Sequence, residues 1–149
     1  MSLPLDPASP RSTSSGAPEG HDVGQEWAID ASGLDPARLA GERGLAAVGS
    51  LFEDIVGALG LHPVAEPIWH VFPGPHCGLT GLLALSESHL ACHTFPEFGG
   101  LALSLYTCRR RREPDWRALV VARLAADPCA AVVRSRAFDR RLLAPEVLR

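Results

Sequence analysis

The chain of 149 residues contains no apolar run near the ~20 residues that a membrane-spanning helix requires. It has no excess of positive charge, since 14 Lys and Arg stand against 17 Asp and Glu, a formal net charge of −3. That balance removes the electrostatic case for binding nucleic acid or a membrane surface. The first residues lack a basic region followed by an apolar one, so no secretory signal is expected. Cysteine is scarce: Cys77, Cys92, Cys108 and Cys129 form no C-x-x-C pair. Without an export signal, reduced thiols and a cytoplasmic location are the expectation. No internal repeat is present, which excludes a solenoid.

The length suits one domain, or one domain with a tail. Residues 1–24 are rich in Pro, Ser and Gly and nearly free of large apolar groups. Too little apolar surface is available there to offset the entropy of ordering, so a disordered N-terminal extension is expected. A folded domain is expected over residues 25–136, with a C-terminal tail over 137–149.

Residues 25–31 alternate as a first strand does. Ser32, Gly33 and Pro36 then break it. Residues 37–59 have a helical period, with Leu45, Val48, Leu51, Phe52, Ile55, Val56 and Leu59 on one apolar face and Gly60 as the stop. Strands are expected at 64–72, 79–85, 89–95 and 101–107, the second of these (79–85) apolar enough to be central. A second helix after Pro114 would bury Trp116, Leu119, Val120 and Leu124, and a last strand would cover 130–133. Arg109 to Arg112 is a run of like charge that reads as a solvated loop. The order β-α-β-β-β-β-α-β predicts an α+β fold: a mainly antiparallel sheet with two helices on one face.

Chemistry-bearing residues gather between the two apolar runs at 79–85 and 101–106. Ser86, Glu87, Ser88, His89, Cys92, His93 and Glu97 fall between them, and Cys108 closes the following strand. Ser88 beside His89 invites a hydrolase reading. No G-x-S-x-G elbow surrounds Ser88, however, and on an extended chain the two side chains point to opposite faces. His89 and His93 share a face, with small Ala91 leaving space between them. Cys92 would point away from both, which argues against a zinc site, and no metal is expected. A serine and two histidines at a sheet rim also occur as plain hydrogen bonding, so catalysis and structure both stay open on these residues alone.

The motif S-E-S-H-L at 86–90, followed by His93-Thr94, Pro96-Glu97, Gly99 and Thr107-Cys108, resembles the bacterial S-adenosylmethionine decarboxylase family. Upstream, His70-Val71-Phe72 and Gly78-Leu79-Thr80-Gly81 resemble that family's H-x-F segment and G-V-S-G turn. The resemblance implies a proenzyme that cuts itself between Glu87 and Ser88, leaving a pyruvoyl group derived from Ser88 as its built-in cofactor. That ketone would form a Schiff base with the amine of a small amino-acid-type substrate. The resemblance also assigns expected roles. Thr80 and His93 would serve in processing, and Cys108 would return a proton to substrate. Glu97, Phe72 and Phe95 would line the substrate pocket. Family members resemble half of a larger sandwich, so a homodimer, or a dimer of cleaved chain pairs, is implied.

Several positions depart from the family pattern. Phe95 stands for Trp, Gly100 for an aromatic, Ser104 for an acidic residue and Arg109 for Gly. The loop at 73–77 is longer, and Gln25-Glu26 replace the usual Arg-His. The implied substrate is S-adenosylmethionine, feeding polyamine and spermidine biosynthesis, with arginine or ornithine as the alternative. A non-catalytic homologue that acts as a binding or regulatory partner is the opposing class.

Overall fold

The computed structural model describes residues 24–139. Six antiparallel strands form one sheet in the order β2-β3-β4-β5-β1-β6. They are β1 (Gln25–Ser32), β2 (Ile68–Val71), β3 (Leu79–Leu85), β4 (Ser88–Phe95), β5 (Gly100–Thr107) and β6 (Val132–Asp139). Two helices, α1 (Gly41–Leu59) and α2 (Trp116–Leu124), complete the expected order of elements.

Burial alternates along each central strand because side-chain direction has a period of two. Leu79, Leu83, Leu85, Leu90, Cys92, Leu101, Leu103, Leu105, Trp27 and Ile29 are all buried on the helix side. Val48, Leu51, Phe52 and Ile55 of α1, with Trp116, Val120 and Leu124 of α2, close that core from above. Trp69 of β2 lies over Gly81, where any Cβ would collide with the indole, and its ring lies tilted against Phe52 with centroids 5.0 Å apart. The two helices are also tied by charge: Arg123 of α2 donates from Nε to Asp54 of α1 at 2.6 Å and from a terminal nitrogen at 2.9 Å. This guanidinium holds the Asp54 carboxyl below the usual carboxylate range.

The opposite face has no helix over it. Ile68, Leu82, Phe95 and Phe138 are exposed there, Ile68 at 69%. The uncovered face thus carries exposed apolar side chains among polar ones such as Thr80, His89, His93 and Asp30.

Three elements differ by more than one residue from expectation at their boundaries. The first helix opens at Gly41 rather than residue 37, because a 3-10 turn at Pro36–Arg38, capped by Asp35, occupies the preceding residues. The strand expected at 64–72 shrinks to Ile68–Val71, held between Pro67 and Pro73, with only an isolated bridge from Pro63 to Leu85 before it. The last strand runs over Val132–Asp139 rather than 130–133, paired along β1. It therefore carries the sheet past residue 136, into the segment expected to be tail. The expected extension at 1–24, except for Gly24, and tail residues 140–149 lie outside the described residues.

One buried side chain joins the layers. Thr94 Oγ1 donates to the Leu39 carbonyl at 2.7 Å and accepts from the Leu79 amide at 2.8 Å. Thr94→Val keeps the shape and orphans both backbone groups. We expect it to cost about 2 kcal/mol of stability, read as a lower urea midpoint at unchanged slope.

Candidate active site

The β3–β4 hairpin turns through Ser86 and Glu87 alone, with Leu85 opposite Ser88. Three contacts hold this turn. The Ser86 amide donates to the His62 carbonyl at 2.9 Å. The Cys108 amide donates to the Glu87 carbonyl at 2.8 Å. The Glu87 carboxylate pairs with Arg109 at 3.0 Å. Glu87, Ser88 and Cys108 are thus gathered at one end of the sheet, with Ser88 in register with Thr107 on β5. Ser88 Oγ is buried and makes no hydrogen bond among the described residues. Cys108 is exposed at the rim.

A second cluster lies toward the other end of β4. Thr80 and His93 are cross-strand partners, and Thr80 Oγ1 lies 2.9 Å from His93 Nδ1. His70 faces Thr80 on β2, and its ring meets Phe72 edge-on at 4.7 Å. Phe72 is 48% exposed rather than core, and its amide donates to the Gly78 carbonyl. Phe95 stands two residues beyond His93 on the same open face, and Glu97 is exposed in the 3-10 turn Pro96–Phe98 that follows. Phe95, Phe98, Gly100 and Asp30 line a shallow cavity of about 230 Å³.

The two clusters do not meet within one chain. Five residues of extended strand separate Ser88 from His93, about 17 Å. Register also puts them on opposite faces: Ser88 sits on the side of Leu85 and Thr107, His93 on the open side with Thr80. Cys92 is buried on the helix side, away from His89 and His93. Burial pushes its thiol up to about 12.

Two features escaped the sequence reading. Arg109 is not merely solvated but paired with Glu87, and the Arg111 amide is tied to Gln25 Oε1 at 3.0 Å. His89 stacks on Tyr106 at 5.7 Å across β4 and β5. Their partners lie far away in sequence. A charge run and a strand histidine carry no local sign of them.

Residues 25–137 match the family model described as S-adenosylmethionine decarboxylase. The chain belongs to this family. An arginine decarboxylase proenzyme from Ignicoccus hospitalis is 32% identical over 74% of this chain and 75% of its own length. An S-adenosylmethionine decarboxylase proenzyme from Pyrococcus furiosus is 27% identical over 62% of this chain and 63% of its own. The one from Thermomicrobium roseum is 46% identical over 30% of this chain and 40% of its own length, so the chain spans well under two thirds of some of these relatives. The crystal structure of the adenosylmethionine decarboxylase from Aquifex aeolicus VF5 shares the fold, with a TM-score of 0.59 at 20% identity over 79% of this chain and 90% of that one. The family is therefore one of decarboxylases, and these curated relatives are named as proenzymes.

The accessible thiols differ from the buried one. Iodoacetamide at pH 7.5 should alkylate Cys108 and Cys129 in the native protein and reach Cys92 only after denaturation, as read by peptide mass spectrometry.

Proposed function

We propose that the chain is a self-cleaving, pyruvoyl-dependent decarboxylase of S-adenosylmethionine that works in the cytoplasm as a homodimer. The observation that carries this reading is the hydrogen bond from the Cys108 amide to the Glu87 carbonyl, beside a buried Ser88 hydroxyl that has no hydrogen-bond partner among the described residues. An N–H at 2.8 Å polarises that carbonyl and is ready to stabilise negative charge developing on its oxygen. The unpartnered Oγ has its lone pairs free to attack.

In the first step Ser88 Oγ bonds to the Glu87 carbonyl carbon. The Glu87–Ser88 amide bond breaks, and the hydroxyl proton passes to the freed Ser88 nitrogen. An ester now joins the residues. Removal of the Ser88 Cα proton then expels the Glu87 carboxylate from Cβ. The dehydroalanine left behind takes up water, loses ammonia and becomes pyruvoyl. Chains 1–87 and 88–149 result. When formed, that group supplies a ketone that holds the substrate amine and draws off the electrons released with carbon dioxide.

The other residues take roles in keeping with their positions. His93, oriented by Thr80, removes the Cα proton; its imidazole lies on the face away from Oγ and is not placed to activate the hydroxyl. The exposed Cys108 thiol returns a proton to the substrate carbon. Phe72 and Phe95 offer aromatic faces for the base, and Glu97 a carboxylate for ribose hydroxyls.

The homodimer is supported by the separation of the clusters. Two copies stacked through their uncovered sheet faces, running in opposite directions, bring the His93 end of one to the Ser88 end of the other. The exposed apolar residues on that face would be covered in the same event.

A second reading, arginine as substrate, is favoured by one observation of its own. Asp30, an acidic residue of the kind that binds a guanidinium, is among those lining the cavity beside Phe95 and Gly100. The cavity lies where the family pattern carries larger aromatics. Losing one stacking contact there would weaken binding of an adenosyl substrate by about tenfold or more.

Two experiments test this. Purified wild-type protein should contain two chains with a ketone on the second, while Ser88→Ala and His93→Ala each remain one chain. Mixed and re-associated, these two variants should regain cleavage in part, because a hybrid dimer holds one site with both native residues. Failure of the mixture to cleave would remove the shared site. Competition of S-adenosylmethionine with arginine and ornithine on processed enzyme then assigns the substrate. Higher kcat/KM for S-adenosylmethionine is expected, and release of carbon dioxide from none of them would favour a non-catalytic homologue.

A further inference from the structure

We infer that Arg109 is an electrostatic latch on the cleavage turn, a positioning residue that holds Glu87 through its side chain while Cys108 holds its carbonyl. This inference rests on the self-cleavage reading above and goes beyond it, since the family pattern has Gly at this position.

The geometry is a grip by consecutive residues. Cys108 donates its amide to the Glu87 carbonyl at 2.8 Å, and Arg109 pairs with the Glu87 carboxylate at 3.0 Å. The gripping segment is itself anchored. Thr107, buried at the end of β5, donates its hydroxyl to the Arg109 carbonyl at 2.9 Å. The turn on the other side is fixed by the Ser86 amide on the His62 carbonyl. Glu87 is thus pinned to β5 through both its backbone and its side chain, while the bond that follows it is the one to be exchanged.

Attack by Ser88 needs the Glu87 carbonyl held in one orientation, because effective molarity depends on alignment of the reacting atoms. A turn of two residues at a hairpin tip is free to rock about its peptide planes. A second attachment point on Glu87 removes that freedom. The latch has a further use after cleavage. Scission leaves a new α-carboxylate on residue 87, so the charge facing Arg109 rises from one negative group to two. The attraction is therefore greatest when the covalent link has gone and the end of chain 1–87 needs holding. The pair also cancels the guanidinium charge where a cationic substrate must approach.

Both side chains are solvated, 62% for Arg109 and 41% for Glu87, so the effect is modest and salt-dependent. Arg109→Gly should cleave itself about two- to fivefold more slowly than wild type at low ionic strength. That difference should vanish in 1 M NaCl, and Arg109→Lys should recover most of the rate. An independent readout avoids cleavage altogether. In the Ser88→Ala precursor, adding Arg109→Gly should speed hydrogen exchange of the Cys108 amide at low salt, and adding Arg109→Lys should not. Equal cleavage rates and equal exchange with and without Arg109 overturn the latch. A slowing that is indifferent to salt and not rescued by Lys also overturns it, in favour of packing. If wild type fails to cleave, the self-processing reading falls, and the exchange measurement still decides for or against the latch.

Discussion

The alternation of side chains along β4 is the constraint to which the other features answer. Eight residues of extended chain send Leu90, Cys92 and Thr94 into the core and His89, His93 and Phe95 out of it. A single-residue slip would exchange the two sets and place imidazoles under α1. Register is fixed against this by two leucine-rich neighbours, β3 and β5, whose buried positions face the same way. The chemistry inherits this geometry. A hydroxyl at the head of the strand and an imidazole five residues on differ by an odd step and cannot share a face. The proposed association of two copies through the open sheet face answers the distance between the two clusters and the exposed apolar residues; the opposite faces of Oγ and imidazole confine His93 to the Cα proton.

Packing on the helix side makes the half-sites rigid. Thr94 ties the start of β3 to the approach to α1, next to the Thr80–His93 pair. Thr107 does the same at the opposite end, reaching the backbone of the Arg109 segment. Each cluster thus has a buried threonine beside it. A threonine suits this position because its hydroxyl satisfies buried backbone groups while its methyl fills the core, which neither serine nor valine does in full. The precision needed to aim a carbonyl or an imidazole is supplied by side chains that never touch substrate.

Much of this was legible along the chain. The helical spacing from Leu45 to Leu59 and the apolar run at 79–85 identify α1 and β3, because burial on one face leaves a periodic trace. The motif around Ser88 named the family, because its members are local in sequence. β6 was harder to read. Its residues Arg134, Ser135 and Arg136 are polar and exposed on an edge strand, so the hydrophobic signal stops at Val133 while hydrogen bonding to β1 continues. The proline-bounded β2 differs in the other direction: Val64 to Glu66 have a strand-like pattern, but beyond the Pro63 bridge and the Val64 amide bond to Ala84 the paired strand begins only at Ile68. Arg109 is solvated as its charge run suggests, but its pair with Glu87 leaves no sign in the sequence because it exists only once β3, β4 and β5 have come together.

The strand order has a mechanical consequence for a chain cut after Glu87. The first fragment would own β1, β2 and β3, and the second β4, β5 and β6. In the sheet, however, β1 lies between β5 and β6, paired with both along nearly its whole length. The fragments would be interdigitated rather than side by side. Neither could leave without tearing a strand out of the middle of the other's hydrogen-bond ladder. Severing the backbone would therefore free a new chain end while leaving a single cooperative body, and the two pieces would part only by unfolding.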